Sequence, residues 1–270
     1  MCRLIVIRSY KSGDETTCKE LLRDGIMSSL NTTFIGLLLK EMTFQIMILF
    51  AAILFIFFGI PFTICLSVIP VVIATLYIGT CISFSMKVAE VMKELSNISR
   101  IYTSNAFSGF WVAEAFEPYL ANVHPKNARF AVMTEQQFRR SNIDVSSKAK
   151  NIVGTIGLLK SHRLDKGAWI KRLCVKKEYR RKGVASCLLN VVVQFAMEQG
   201  YSCADIVASE YDEGGRELCL KEGFELKQLY HKSIPGSLMT VLMYELTYRI
   251  KPGQDGYAPL PHNRAQFILE

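Results

Sequence analysis

The 270-residue chain has eight cysteines but no Cys-x-x-Cys pair and no Cys/His cluster. That excludes the common zinc spacings and a thioredoxin-like redox centre. Cys65 and Cys81 fall in an apolar run, and Cys174, Cys187 and Cys203 sit among core-like residues, a pattern that reads as reduced thiols in a cytosol-facing protein. A cleavable signal peptide is not expected, because residues 1–30 carry charge throughout and contain no apolar core. Internal repeats are absent. The most informative absence is of charge: no Asp, Glu, Lys or Arg occurs from Met42 to Met86.

This uncharged run of 45 residues lies between Glu41 and Lys87. One membrane span needs about 20 residues, so the run is long enough for about two. Gly59 and Pro61 near its middle predict a turn dividing it into segments 42–59 and 62–86, and Pro70 predicts a kink in the second. Lys40 precedes the run, and Lys87, Lys93 and Arg100 follow it, whereas the central turn has no cation. Both flanks therefore read as cytoplasmic, and the run as a hairpin that either spans twice or re-enters. The rest of the chain carries a formal net charge of +8. Such an excess suits a polyanionic ligand, an anionic membrane face or nucleic acid. The cations cluster at one site without interleaved aromatics, which argues against nucleic acid.

Outside the hairpin, hydrophobic periodicity predicts strands at 2–8, 109–114, 151–160, 168–176, 203–209, 224–231 and 239–248. Ser12 with Glu15 has capping-box spacing for a helix running to Met27. Further helices are expected at 87–103, 184–199 and 213–222. Residues 115–150, with Pro118, Pro125 and many Asn and Ser, read as a long loop, and 251–270 as a loose tail. The implied organisation is a first strand and helix in 1–41, the hairpin in 42–86 and the remainder of one α/β domain in 87–250. Its crossover helix at 184–199 implies a mixed sheet with helices packed on it.

The stretch "EYRRKGVASCLL" (178–189) crowds Arg180, Arg181 and Lys182 against Gly183 and Ala185, where an apolar helix begins after a strand. The first turn of a helix has unpaired N–H groups and the positive end of the dipole, so it binds phosphate. Gly183 lets the backbone approach a pyrophosphate closely, and Ala185 keeps the next turn clear. A solvated basic helix entrance is the plainer alternative.

At these residues the sequence resembles the GCN5-related N-acetyltransferases. "LCVKKEYRRKGVASCLL" (173–189) looks like their motif A, and "LCLKEGF" (218–224) like motif B. The hairpin, with "RDGIMSSLNTTFIGL" (23–37) before it and "GFWVAE" (109–114) after it, is similar to the camello-like membrane N-acetyltransferases, a group that includes aspartate and cysteine S-conjugate N-acetyltransferases. The resemblance implies the GCN5-related α/β fold with an inserted membrane hairpin, acetyl-CoA as cofactor, a small amine as acceptor and the endoplasmic reticulum as location. It further implies that Leu173, Cys174 and Val175 hold the pantetheine by backbone hydrogen bonds. The amide of Cys174 or Val175 would polarise the thioester, and Arg180, Arg181, Lys182, Gly183, Val184 and Ala185 would take the pyrophosphate.

Two positions depart from the family pattern. Cys219 stands where the family commonly has a tyrosine that protonates the leaving thiolate; it is either a thiol donor or a small buried hydrophobe, and Tyr211 is a substitute. Ser209-Glu210 stands where an asparagine is frequent. Glu114, Glu210 or a water are the candidates for general base. Arg172, one residue before Leu173, binds a substrate carboxylate if it faces the cleft and is merely solvated if it faces out. The functions in play are acetylation of a small amino acid or conjugate, protein lysine acetylation at a membrane, and a silent relative that binds acetyl-CoA.

Overall fold

The computed structural model describes residues 2–118, 129–141, 143–145, 148–164, 166–233 and 240–250. In chain order the elements are β1 (Cys2–Ser9), α1 (Glu15–Ser28), α2 (Leu30–Leu38), α3 (Glu41–Phe58), α4 (Phe62–Cys65), α5 (Val68–Leu95), α6 (Ile98–Tyr102), β2 (Gly109–Pro118) and β3 (Arg129–Thr134). They continue with α7 (Glu135–Ser141), β4 (Lys148–Lys160), β5 (Gly167–Val175), α8 (Val184–Glu198), β6 (Cys203–Ser209), α9 (Glu213–Lys221), β7 (Glu225–Ser233) and β8 (Thr240–Arg249). Eight strands form one sheet in the order β3-β1-β2-β4-β5-β6-β8-β7. The β1/β3 and β5/β6 pairs are parallel and the others antiparallel, so the mixed sheet expected from the crossover helix is what forms.

Strand alternation gives the two sheet faces separate cores. Ile5, Ile7, Trp111, Ala113, Val153 and Ile170 pack against the apolar stripe of α8, of which Leu188, Leu189 and Val192 are fully buried. At about 1.5–3 kcal/mol for each large aliphatic side chain, this stripe is a main source of stability. On the other face Leu21 and Leu22 of α1, Val91 and Leu95 of α5, and Ile98 and Tyr102 of α6 close over Phe110, Val112 and Ile152. The long helix α5 thus runs unbroken from the uncharged segment into the core of the domain.

Several expectations are corrected. The start of α1 is capped at Asp14, not Ser12; the Asp14 carboxylate takes up Arg8 at 2.7 Å and the Lys11 amide at 2.9 Å, so it belongs to an ion pair rather than a capping box. Burial works to raise its pKa, but the Arg8 guanidinium prevails and holds it below the usual carboxylate range. The second segment is interrupted at Leu66–Ser67, between α4 and α5, and Pro70 lies in the first turn of α5, where no intrahelical N–H is required. The helix expected at 87–103 is the end of α5 plus the short α6. The segment 115–150 is not wholly loop: β2 extends to Pro118, "RFAVMT" pairs in parallel along β1 as β3, α7 follows, and β4 starts at Lys148. Prolines and asparagines outweighed a six-residue strand whose partner is distant in sequence. Residues 119–128 and the tail at 251–270 lie outside the described residues.

One irregularity organises the centre of the sheet. The β4/β5 register shifts between Thr155 and Gly157, which pair with Cys174 and Lys171, so Arg172 and Leu173 together oppose one residue of β4. Arg172 adopts φ 60°, the left-handed conformation of a β-bulge. For a non-glycine residue that costs about 1–2 kcal/mol. Three contacts hold it there. Glu94, near the end of α5, receives the Arg172 guanidinium on both carboxylate oxygens, Tyr102 donates its hydroxyl to the same carboxylate, and Thr155 donates to the Arg172 carbonyl at 3.0 Å. Charge-assisted bonds contribute about 1.5–3 kcal/mol each, enough to outweigh the strain.

Removing Glu94 leaves a largely buried guanidinium unpaired in a strained bulge. Glu94→Ala should therefore lower unfolding stability by about 3 kcal/mol, read from chemical denaturation of the detergent-solubilised chain. Adding Arg172→Gly removes both the charge and the strain, so the double variant should be more stable than Glu94→Ala alone. A double variant less stable than that single variant would show that the ion pair does not hold the bulge.

Candidate functional site

Strands β5 and β6 are paired only over Gly167–Ile170 and Cys203–Ile206. Past that point β6 stays with β8 as far as Ser209, and β5 stays with β4 as far as Val175. The bulge at Arg172 lies where the two part. Among the described residues one edge of Lys171–Val175 therefore has no neighbouring strand, so that it can take an extended ligand. Leu173 and Val175 turn toward α8, and Cys174 toward α1, where its Sγ lies 3.6 Å from the Leu21 carbonyl. Burial pushes the Cys174 thiol up to about 11, so it stays protonated at neutral pH and is no nucleophile. Gly25 makes this approach possible: a Cβ there would stand 2.3 Å from the Cys174 sulfur.

After Val175 the chain makes a single 3-10 turn, Lys177–Tyr179, pinned by the buried Tyr179, whose hydroxyl donates to Glu117. Arg180 folds back, its Nε donating to the Val175 carbonyl at 3.0 Å and its Nη2 reaching Ser28 at 3.4 Å. Its side chain thus braces the turn. Arg181 at φ 62° and Gly183 at φ 80° are both left-handed. Alternation of this kind turns successive N–H groups into one concavity, an anion nest. The nest runs directly into the first turn of α8, whose N–H groups have no intrahelical acceptors. Nothing lies within 4 Å of where a Cβ on Gly183 would stand, so the cradle is open. Val184 is buried and Ala185 packs on the core, which fixes the helix end beneath the nest. Lys182 lies 5.8 Å from the Phe130 ring centroid, and Arg181 is exposed beside it. The site fits a pyrophosphate.

On the α1 side, a cavity of about 190 Å³ borders Cys174 and Val175. Glu20 and Asp24, one turn apart on α1, and Glu178 line it together with Lys176, Lys177 and Arg180. One Glu178 carboxylate oxygen is buried with no hydrogen-bond partner among the described residues. Sequence reasoning did not select these carboxylates. The available signal was their i, i+4 spacing beside Gly25, on a helix face that must approach a strand closely.

The expected acid and base residues do not converge. Glu114 lies on β2, two strands from β5, and is ion-paired with the buried Arg8 at 3.0 Å. Arg172 serves the bulge. Cys219 is 1% exposed within the core beneath α8 and α9, and burial first, then the charges of Asp212 and Glu222, push its thiol up to about 12. Glu210 and Tyr211 follow the free end of β6. The Glu210 carboxylate accepts from Lys40 at 2.8 Å and from the Leu242 amide at 3.0 Å. The Tyr211 ring lies against Gly36, where a Cβ would come within 2.1 Å of it. Its hydroxyl is buried close to the Glu210 carboxylate. Burial, with the Glu210 charge second, raises its pKa above the ordinary tyrosine value, so it is protonated at neutral pH.

A family model described as "Acetyltransferase (GNAT) family" matches residues 94–224, the stretch that contains the bulge, the open edge and the nest. N-acetyltransferase 8B of Rattus norvegicus is 26% identical over 158 residues, which cover 57% of this chain and 56% of that protein. N-acetyltransferase 8 of the same organism is 24% identical over 234 residues, covering 81% of this chain and 85% of that protein. Among solved structures, an acetyltransferase of the GNAT family from Staphylococcus aureus aligns with 89% of this chain and 97% of its own at 15% identity, with a TM-score of 0.45. Over that stretch the chain is similar to the acetyltransferase (GNAT) family, and over most of its length to N-acetyltransferase 8 and its family-8 relatives.

The open space at Gly183 separates two substitutions. Gly183→Ala meets no atom and bears only the left-handed strain of about 1 kcal/mol, so acetyl-CoA binding should weaken by less than about tenfold. Gly183→Glu brings a carboxylate to the nest and should abolish binding measured by calorimetry. Equal affinity for the glutamate variant and the wild type would remove the nest from the cofactor site.

Proposed function

We propose that this chain, an acetyl-CoA-dependent N-acetyltransferase, is anchored to a membrane by α3 and α5 and acetylates a small amine admitted beside α1. The observation that carries this reading is the open edge of β5 leading into the nest at α8. Acetyl-CoA, when bound, supplies an activated acetyl thioester. The nest at Arg181–Gly183 and the first turn of α8 would hold its pyrophosphate, and the free edge of Leu173–Val175 its pantetheine. An amide N–H of Cys174 or Val175 would donate to the thioester oxygen as negative charge builds there.

The acceptor amine arrives as an ammonium and must lose a proton before its nitrogen can bond to the acetyl carbon. Glu20, Asp24 and Glu178 supply negative charge for that cation beside Cys174, and Asp24 or a water takes the proton. The cavity, about 190 Å³, is on a scale that suits an amino acid or its conjugate. As the carbon–sulfur bond breaks, the thiolate needs a proton. Tyr211 is the better donor than Cys219, because it stands at the end of β6 beside Glu210 whereas the Cys219 thiol is sealed in the core.

Membrane attachment is supported by two helical stretches, Glu41–Phe58 (α3) and Phe62–Leu95 (α4 with α5), each long and apolar enough to cross, with only 6% of either apolar window buried in the protein. A core helix pair would be covered. Lys40, Lys87, Lys93 and Arg100 all lie at the domain end of the hairpin, which fits a domain on the cytoplasmic side, and the endoplasmic reticulum is the membrane this reading adopts.

Release of CoA thiol by the purified, solubilised chain tests the function, with amino acids, cysteine conjugates and lysine peptides as acceptors. Turnover is expected with at least one small amine. Tyr211→Phe keeps the ring against Gly36 and should lower kcat by about 100-fold at unchanged acetyl-CoA affinity. Cys219→Ala should stay within about twofold of the wild-type kcat, with its cost in stability alone. No thiol release with any amine would favour a silent acetyl-CoA binder and overturn the reading.

A further inference from the structure

We infer that Lys40, at the root of α3, is a positioning residue for the proton transfer: its ammonium holds Glu210 beside Tyr211 and neutralises it, so that the tyrosine can give up its proton to the leaving thiolate. The inference rests on the reading of Tyr211 as proton donor and concerns what makes it one.

The junction between α2 and α3 fixes Lys40 in place. Its backbone is extended, which separates the two helices at a corner. Thr43 closes that corner: its amide bonds to the Lys40 carbonyl at 2.9 Å, and its buried hydroxyl donates to the Leu37 carbonyl at 2.6 Å. Leu37 is itself fully buried against Ile46 of α3, Leu76 of α5, Tyr211 and Val241. From this corner the Lys40 side chain reaches the end of the sheet. Its Nζ donates to the Glu210 carboxylate at 2.8 Å and to the Thr240 carbonyl at 2.7 Å. It also lies 5.9 Å from the centroid of the Tyr211 ring, within cation–π range. The ring is further seated against Gly36, where any side chain would collide with it. Gly36, Leu37 and Lys40, close together in the chain, thus meet the Glu210–Tyr211 pair with backbone, apolar side chain and charge.

The charge is the part that bears on chemistry. Burial works to raise the Glu210 pKa, but the Lys40 ammonium and the Leu242 amide prevail and keep the carboxylate ionised. Burial first, and the Glu210 charge second, raise the pKa of Tyr211. Asp212, the next carboxylate along the chain, is turned to the start of α9, where it accepts from the Gly215 amide at 3.1 Å. Beside a bare Glu210 carboxylate, Tyr211 would be a poor acid, because its phenolate would form next to a second negative charge in a half-buried place. With Lys40 present, the phenolate forms beside a neutral pair and near a cation. In the transfer the carbon–sulfur bond breaks with its electron pair on sulfur, the Tyr211 O–H proton forms the S–H bond, and the phenolate regains a proton from solvent before the next turnover.

Thiol release by the solubilised full chain tests this with a double-variant cycle. Lys40→Met should lower kcat by about tenfold at unchanged acetyl-CoA affinity, but by less than about twofold when Tyr211 is already replaced by Phe. Lys40→Gln, which keeps a donor without the charge, should lose as much, and it carries the test if methionine perturbs the fold. Lys40→Arg can still donate to Glu210 and to the Thr240 carbonyl, and should recover most of the wild-type kcat. An equal loss from Lys40→Met in both backgrounds, a glutamine variant as fast as the wild type, or a change in acetyl-CoA affinity with kcat unaltered would overturn the inference while leaving Tyr211 as the donor. A Tyr211→Phe variant as fast as the wild type would remove the donor reading, and the inference with it.

Discussion

The ion pair between Glu94 and Arg172 is the contact on which the rest of the architecture turns. Arg172 sits in a backbone conformation that a side-chain-bearing residue resists, and the two-point grip of Glu94, shared with the Tyr102 hydroxyl, keeps it there. The bulge so fixed is what lets β5 leave β6. With a regular strand in its place, pairing would continue toward Val175 and close the edge that a cofactor needs. Strain at one residue is thus converted into an open ligand-binding edge.

The same pair joins two parts of the molecule that seem separable in sequence. Glu94 belongs to the last turn of α5, whose opposite end is the far leg of the hairpin. The apolar helix and strand β5 are therefore connected through 28 residues of continuous helix and one ion pair. On the other flank Lys40, where α3 begins, holds Glu210 beside Tyr211. The hairpin is inserted between the first helices and β2, yet both of its roots touch residues at the rim of the cleft.

Much of this was legible in the residues, and the failures have physical causes. The uncharged run, the strand leading to "EYRRKG" and the apolar stripe of α8 are local patterns, and local patterns carried the fold, the hairpin and the nest. Arg172 was noticed for its charge and its place in a strand. Its partner Glu94 is 78 residues away, and nothing in either segment signals a bulge. Glu114 looked like a base because it ends an apolar strand, but Arg8 from β1 claims it. Strand β3 was lost because among the described residues it pairs with β1, more than a hundred residues earlier. Glu20 and Asp24 were passed over because an acidic pair on a helix is ordinarily a solvated face. Only the close contact of Gly25 with Cys174 reveals that this face looks onto β5.

The central claim is that one edge of β5 and the nest at the start of α8 form a continuous main-chain site for acetyl-CoA. Amide hydrogen exchange of the solubilised full chain, with and without acetyl-CoA, reads those groups directly. The account predicts slowed exchange in residues 171–175 and 181–186, with β7 and the outer face of β8 unchanged. Saturating acetyl-CoA that left both segments exchanging at their free rates, while protecting some other part of the chain, would contradict it.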